Sequence, residues 1–170
     1  MNFNTESFYI ESPFFSLNGY KTIGRIVNVI DGDSLIIILP LFDKYYKFHV
    51  RLNGIDTCET HSKNVEVKDK ALTSKYRIIE LLTKDYKKIQ DIIGITNKQV
   101  TEIFKSFKCL VTVNCFEFDK YGRILADVYI KDESNSLSKI LVNEKLAYYY
   151  DGKRKLSEED QINILKINKK

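Results

Sequence analysis

The chain has no tryptophan, a single methionine, two histidines and three cysteines in 170 residues. The cysteines, Cys58, Cys109 and Cys115, are odd in number and form no Cys-x-x-Cys pair. That argues against a disulfide framework and against a cysteine-based metal site. Cys109 and Cys115 sit in a strand-like run and read as small core residues. His49 has no carboxylate or second histidine in local register, so it reads as a surface strand residue. No apolar run reaches membrane-spanning length. The first basic residue is Lys21, which leaves no positive n-region for a signal peptide, and Glu6 and Glu11 interrupt the aromatic N-terminal stretch. The expectation is an intracellular protein with no membrane partner. Internal repeats and long low-complexity linkers are also missing.

What is present is the composition of one globular domain with a real core, 44% hydrophobic and 29% charged. Heavy use of Lys, Ile and Asn, like the missing tryptophan, reads as nucleotide bias of the gene. The net charge is +4. It is concentrated in residues 62–108, where eleven Lys/Arg face six Asp/Glu. Such a stretch attracts polyanions or is simply a solvated helix face.

The pattern predicts three strands, a helical stretch, two strands and a helix. Residues 1–20, Asn/Ser/Phe-rich with Pro13, read as an N-terminal extension. Lys21 to Ile30 and Ser34 to Leu39 are strand-like around an Asp31-Gly32 turn. From Tyr45 to Leu52 the chain alternates, with Tyr46, Phe48, Val50 and Leu52 on one face and Lys47, His49 and Arg51 on the other. Val65 to about Tyr86 has a helical stripe of Ala71, Leu72, Ile78, Ile79 and Leu82. A second helix follows Gly94, with Thr96 and Gln99 as a capping box and a stripe of Val100, Ile103, Phe104 and Phe107. That stripe is expected to pack on the barrel or the first helix. The alternative is that the helix borders a substrate groove and lends it Lys98, Lys105 and Lys108. Strands at Cys109–Phe118 and Arg123–Ile130, a helix over Ser138–Ala147 and a terminal helix capped by Ser157 complete the chain. This order suggests an α+β fold, a five-stranded Greek-key barrel of the oligonucleotide/oligosaccharide-binding type with three to four helices.

Two segments carry chemistry. One is Ile30-Asp31-Gly32-Asp33-Ser34 followed by Arg51-Leu52-Asn53-Gly54-Ile55-Asp56-Thr57-Cys58-Glu59-Thr60; the other is Phe118-Asp119-Lys120-Tyr121-Gly122-Arg123. Singly, each piece has a plain structural reading: a hairpin turn, an Asx motif, a surface ion pair. Together they supply hard oxygen ligands from two strand ends, Asp33 and Asp56, suited to Ca²⁺ or a similar cation. Glu59, three residues past Asp56, is placed to hold a water. Arg51 and Arg123 offer planar forks that match phosphate oxygens.

On these motifs the chain resembles the staphylococcal nuclease (thermonuclease) family over about residues 21–150, most strongly at 24–39, 51–60 and 116–129. The run Leu141-Val142-Asn143-Glu144-Lys145-Leu146-Ala147-Tyr148-Tyr149-Tyr150 resembles the family's short helix and the tyrosine segment after it. The resemblance implies Ca²⁺ held by Asp33, Asp56 and the Thr57 carbonyl. It implies Glu59 orienting or deprotonating the attacking water, with Arg51 and Arg123 on the scissile phosphate. Lys120 and Tyr121 would hold a neighbouring phosphate, and a tyrosine of 148–150, Tyr148 or Tyr150, would contact the nucleotide. Two departures stand out. Cys58 replaces the usual proline, which would otherwise stiffen the loop that aims Glu59. A helical insertion of about 85–107 lengthens the region before Cys109. The implied organisation is an extension over 1–20, the nuclease-like domain over 21–156 and a C-terminal helix and tail over 157–170. The implied activity is a monomeric, metal-dependent nuclease acting on DNA and RNA, preferring single strands, with little sequence preference, and leaving 5′-hydroxyl and 3′-phosphate ends. The alternative is a catalytically inactive barrel that binds nucleic acid or protein; such a domain would be expected to have dropped some of Asp33, Arg51, Asp56, Glu59 and Arg123, and all five are present.

Overall fold

The computed structural model describes residues 11–84 and 94–166. The first half of the expected extension, residues 85–93 of the expected insertion and the last four residues lie outside the described part. Five strands close into a barrel: β1 (Lys21–Val29), β2 (Ser34–Leu41), β3 (Lys44–Leu52), β5 (Leu110–Phe118) and β6 (Ile124–Ile130). Their order around the barrel is β1-β2-β3-β6-β5. All neighbours are antiparallel except β3 and β6, which run parallel. This is the five-stranded α+β architecture expected from the pattern. Alternation explains why it closes: Ile26, Leu35, Ile37, Leu39, Val50, Leu52, Val111, Val113, Ile124 and Val128 are all buried in one core. Gly24 is part of that packing, since a Cβ there would lie 2.7 Å from Ile37 Cγ2 and 2.8 Å from Leu39 Cδ2.

One expected inner residue is not inside. Tyr46 is 41% exposed, although its register partner Leu39 is fully buried, with its ring 6.5 Å from that of the half-buried Phe48 at the rim of β3. The inward alternation of β3 begins only at Phe48. On the same end Phe15, from the extension, lies against Phe42 and Phe118, while Phe14 is fully exposed.

Four helices are present among the described residues. The first, α1 (Val65–Thr83), is capped by Asn64, whose side chain accepts from Glu66 N and Val67 N. It buries Ala71, Ile78, Ile79 and Leu82, leaving Leu72 only half-buried. Arg77 ties it to α3 (Leu137–Asn143) through a two-pronged pair with Glu144, at 2.8 and 2.7 Å. The inserted helix, α2 (Asn97–Ser106), has both halves of its capping box, with Thr96 and Gln99 satisfying each other's backbone N–H. It packs on β1 and buries Val100 and Phe104. Asn28, in the irregular stretch of β1, donates to Asn97 O and Thr101 Oγ1, which fixes the helix start. Lys98, Lys105 and Lys108 are exposed. Two of the four stripe residues are thus buried against the barrel, while Ile103 and Phe107 are half-buried.

A small second layer sits beside the barrel. The two-residue strands β4 (Ile55–Asp56) and β7 (Tyr148–Tyr149) pair antiparallel, with Asp56 opposite Tyr148. Around them Cys58, Val67, Ala71, Tyr148 and Leu165 form a separate apolar cluster. This cluster receives α4 (Glu158–Ile164), whose cap is Ser157 as expected.

Phe104 is the test of how far the insertion has become core. Truncating it leaves a cavity against β1, and Phe104→Ala should cost about 3–5 kcal/mol of unfolding free energy in urea. A loss below about 1 kcal/mol would show the helix to be an appendage.

Candidate functional site

The expected residues meet at one end of the barrel, in a cleft of about 790 Å³. It is lined by Asp33, Arg51, Asp56, Thr57, Glu59, Lys120, Tyr121, Arg123 and Tyr150, together with Asp31, Asp119, Lys153 and Lys155. Three elements deliver them. The β2–β3 register sets Ser34 opposite Arg51, and Leu52 N donates to Asp33 O at 2.8 Å, which brings Asp33 beside the Arg51 side chain. The turn after β3, with Gly54 at φ +73°, leads into β4 and Asp56. Gly32 lets the Asp31–Asp33 turn lie against Thr57: a Cβ there would be 2.8 Å from Ser74 Cβ and 3.0 Å from Thr57 Oγ1.

The floor is made of two buried carboxylates, Asp33 (5% exposed) and Asp56 (4%). Arg51 bridges them. Its Nη1 pairs with Asp33 Oδ2 and its Nη2 with Asp56 Oδ1 at 2.8 Å, and Nη2 also donates to Ile55 O at 3.2 Å. The arginine expected on a phosphate is thus held between the two expected metal ligands. Its guanidinium also lies 5.7 Å from the centroid of the Tyr150 ring.

The two carboxylates differ electrostatically although they share this guanidinium. Burial pushes Asp33 up to about 7, against the pull of Arg51, and the Asp31 charge adds to the rise. Burial acts the same way on Asp56, but hydrogen bonds from Tyr148 and Arg51 and the charge of Lys155 outweigh it and hold that carboxyl below its ordinary range. Tyr148 Oη donates to Asp56 Oδ2 at 2.6 Å. Asp33 accepts in addition from the Ser34 hydroxyl, at 2.7 Å.

Glu59 and Arg123 stand at the sides. Glu59 is held by Lys155, with Nζ 2.5 Å from Oε1. The same ammonium lies 3.1 Å from Asp56 Oδ2 and 3.3 Å from Thr57 O. Burial disfavours the Lys155 charge, yet Glu59 and Asp56 together raise its pKa above the lysine norm. Arg123 leaves a tight turn in which Gly122 takes φ +77°. Asp119 organises that turn: Oδ1 accepts from Tyr121 N and Arg123 N, and Oδ2 accepts from Arg123 Nε at 2.7 Å. A register shift between Cys115 and Phe118 precedes it and re-aims the end of β5. Lys120 and Tyr121 are exposed, with the Lys120 ammonium 5.1 Å from the Tyr121 ring centroid.

The tyrosine segment resolves unequally. Tyr148 is 2% exposed and outside the cleft lining, so its ring is not free to contact a nucleotide. The physical reason is its pairing across β4–β7, which turns it inward onto Asp56. Tyr149 is 77% exposed but does not line the cleft. Tyr150 does, and it is the tyrosine of this run suited to stacking. Cys58 also differs from expectation. It is buried in the small apolar cluster, so packing anchors the loop where a proline ring would have.

Three contributors went unread in the sequence: Asp119, Lys155 and the buried Tyr148 hydroxyl. Asp at the first position of a turn with Gly three residues on was a readable signal for Asp119. The basic run Lys153-Arg154-Lys155 after Gly152 was the hint for Lys155.

As a metal site, the donors are two carboxylates and a backbone carbonyl. Among the described residues no group of three or more His, Cys, Asp or Glu is arranged to hold an ion. The chemistry fits a hard divalent cation nonetheless. Asp31, Asp33, Asp56 and Glu59 outnumber Arg51 and Lys155 beside them.

The staphylococcal nuclease homologue family model matches residues 49–170. A comparison with curated proteins gives no match. The matched stretch holds all of these residues except Asp31, Gly32, Asp33 and Ser34, which the β2–β3 hairpin brings to it.

The Asp33 charge has a pH signature in metal-free protein. Its folded pKa, about 7, lies above the unfolded value of 3.8, so the native state holds a proton the unfolded chain has lost. Stability from this group is therefore full below the unfolded value and declines as pH rises towards 7. Relative to wild type, Asp33→Asn should gain stability progressively over that window and level off above it. Melting curves in chelator from pH 4 to 8 measure this; a difference independent of pH would contradict the assignment.

Proposed function

Because this chain belongs to the staphylococcal nuclease homologue family, we propose that it is a Ca²⁺-dependent nuclease that hydrolyses phosphodiester bonds of DNA and RNA. The observation that carries this reading is the meeting of Asp33, Arg51, Asp56, Glu59 and Arg123 in one cleft at the barrel end. Family membership by itself gives a nuclease-like or nucleic-acid-binding domain. No helix among the described residues is long and apolar enough to cross a membrane.

Asp33, Asp56 and the Thr57 carbonyl would hold the ion, a sparse donor set with an expected affinity on the order of 10⁻⁴ to 10⁻³ M. When bound, it supplies Lewis-acid stabilisation to the phosphate. Glu59 accepts a proton from the attacking water, or fixes that water in line with the phosphorus. The water oxygen bonds to phosphorus as the bond to the 5′ oxygen breaks, and the departing oxygen takes up a proton from solvent, leaving a 5′-hydroxyl and a 3′-phosphate. Arg51 and Arg123 donate to the phosphate oxygens, where charge accumulates in the pentacoordinate state, and Arg123 lies nearer the leaving oxygen. Asp119 holds Arg123 in place through Nε and Nη1 reaches the Ser34 hydroxyl at 3.5 Å, so that Nη2 is the group best placed to turn to the substrate. Tyr150 offers a face to a base, and Lys120 and Tyr121 offer exposed donors to the next phosphate. Stacking and backbone contacts tolerate any base, which gives low sequence preference and favours unpaired strands.

Substitution separates this role from binding alone. Arg51→Lys and Arg123→Lys keep charge but lose the planar fork, and each should lower kcat by about 10²–10³. Glu59→Gln should lower kcat by about 10²–10⁴ with oligonucleotide affinity nearly unchanged. Steady-state kinetics on single-stranded DNA, with affinity measured in parallel, check both. Equal losses of affinity and turnover would assign these residues to binding or scaffolding.

A further inference from the structure

The proposed reaction leaves one contact unaccounted for: an ammonium group in the middle of the groups that would hold and serve the ion. Lys155 Nζ is 3.1 Å from Asp56 Oδ2, 3.3 Å from Thr57 O and 2.5 Å from Glu59 Oε1. Two of these oxygens belong to the proposed metal ligands and the third to the proposed base. Resting on that reading of the site, we propose that Lys155 is a built-in counter-cation that occupies the metal position in the resting protein, so that metal entry and release of Glu59 are one exchange.

The geometry makes the two occupants exclusive. A Ca²⁺ bound to Asp56 and Thr57 oxygens lies about 2.3–2.6 Å from each. An ammonium within hydrogen-bonding reach of the same two atoms claims the same space and repels the ion. Lys155 is also delivered there deliberately by the chain. On one side Tyr150 N donates to Gly54 O at 2.9 Å, next to the β4–β7 pair. On the other, Leu156 packs in the small apolar cluster, and its carbonyl accepts from the buried Gln161 side chain at 2.8 Å. The backbone is thus pinned on both sides of Lys155, while the side chain, 34% exposed, has a path to solvent. Exchange needs only rotation of a four-carbon stem. Once the ammonium leaves, Glu59, 64% exposed, loses the cation paired with it among the described residues and is free to take a proton from water.

Calorimetric titration of calcium chloride into the full-length protein, wild type against Lys155→Met and Lys155→Gln, tests this without reference to turnover. If Lys155 closes the site nine-tenths of the time, its removal should tighten Ca²⁺ binding about tenfold. The same variants should melt lower than wild type in chelator, because Asp56 and Glu59 lose their counter-ion, and gain more than wild type on adding calcium. The glutamine variant, which keeps a donor for Thr57 O and Asp56, guards against failure of the methionine variant to fold. Equal or weaker calcium affinity in either folded variant would overturn the role of Lys155 while leaving the metal site standing. No calcium binding by wild type or variants in the millimolar range would overturn the metal reading and this proposal with it.

Discussion

The sharing of one guanidinium by two buried carboxylates is the constraint around which this end of the molecule is built. Asp33 and Asp56 lie within reach of the same Arg51 side chain, and both are almost completely withdrawn from water. Two such charges cannot stay ionised side by side without a cation. Arg51 meets part of that need, and the remaining structure follows from what it leaves. Asp56 is completed by Tyr148 and Lys155, so its charge is well held. Asp33 has the Ser34 hydroxyl, but its burial, and after it the Asp31 charge, disfavours its ionised form. It is on this floor that the proposed cation would sit.

The barrel exists, from this standpoint, to make that encounter rigid. Asp33 immediately precedes Ser34, the residue that faces Arg51 across the β2–β3 pair, and the β3–β6 pairing carries Arg51 opposite Leu125, just after the turn that supplies Arg123. The strands around them are filled by β-branched and leucine side chains, leaving little freedom for register slip. Arg123 is then set by a carboxylate four residues earlier in its own turn. Charged residues at the cleft are therefore positioned by local devices, a hairpin and an Asx-type turn, mounted on a close-packed wall.

Those local devices are also why so much was legible in the sequence. The Asp-Gly turn, the alternation that points Arg51 to the polar face and the Thr96/Gln99 capping box are all short-range patterns, and each appears where the pattern placed it. What the sequence hid depends on distant pairing. Tyr148 reads as an exposed aromatic among three tyrosines, and only its pairing with Asp56, 92 residues away, turns it inward. Lys155 reads as one member of a basic run, and only the docking of the C-terminal helix on Cys58, Val67 and Ala71 carries it to Glu59. Tyr46 departs for another reason: it lies at the rim of β3, where its partner Leu39 takes the core position and the tyrosine stays 41% exposed.

The central claim is that this cleft cleaves nucleic acid with the help of a hard cation. The most direct measurement follows a labelled single-stranded oligonucleotide incubated with the protein, first with calcium and then with excess chelator, and identifies the product ends. The account predicts cleavage that appears with calcium, stops in chelator and leaves 5′-hydroxyl and 3′-phosphate termini. Full cleavage in chelator, or tight binding with no cleavage at any calcium concentration, would contradict it.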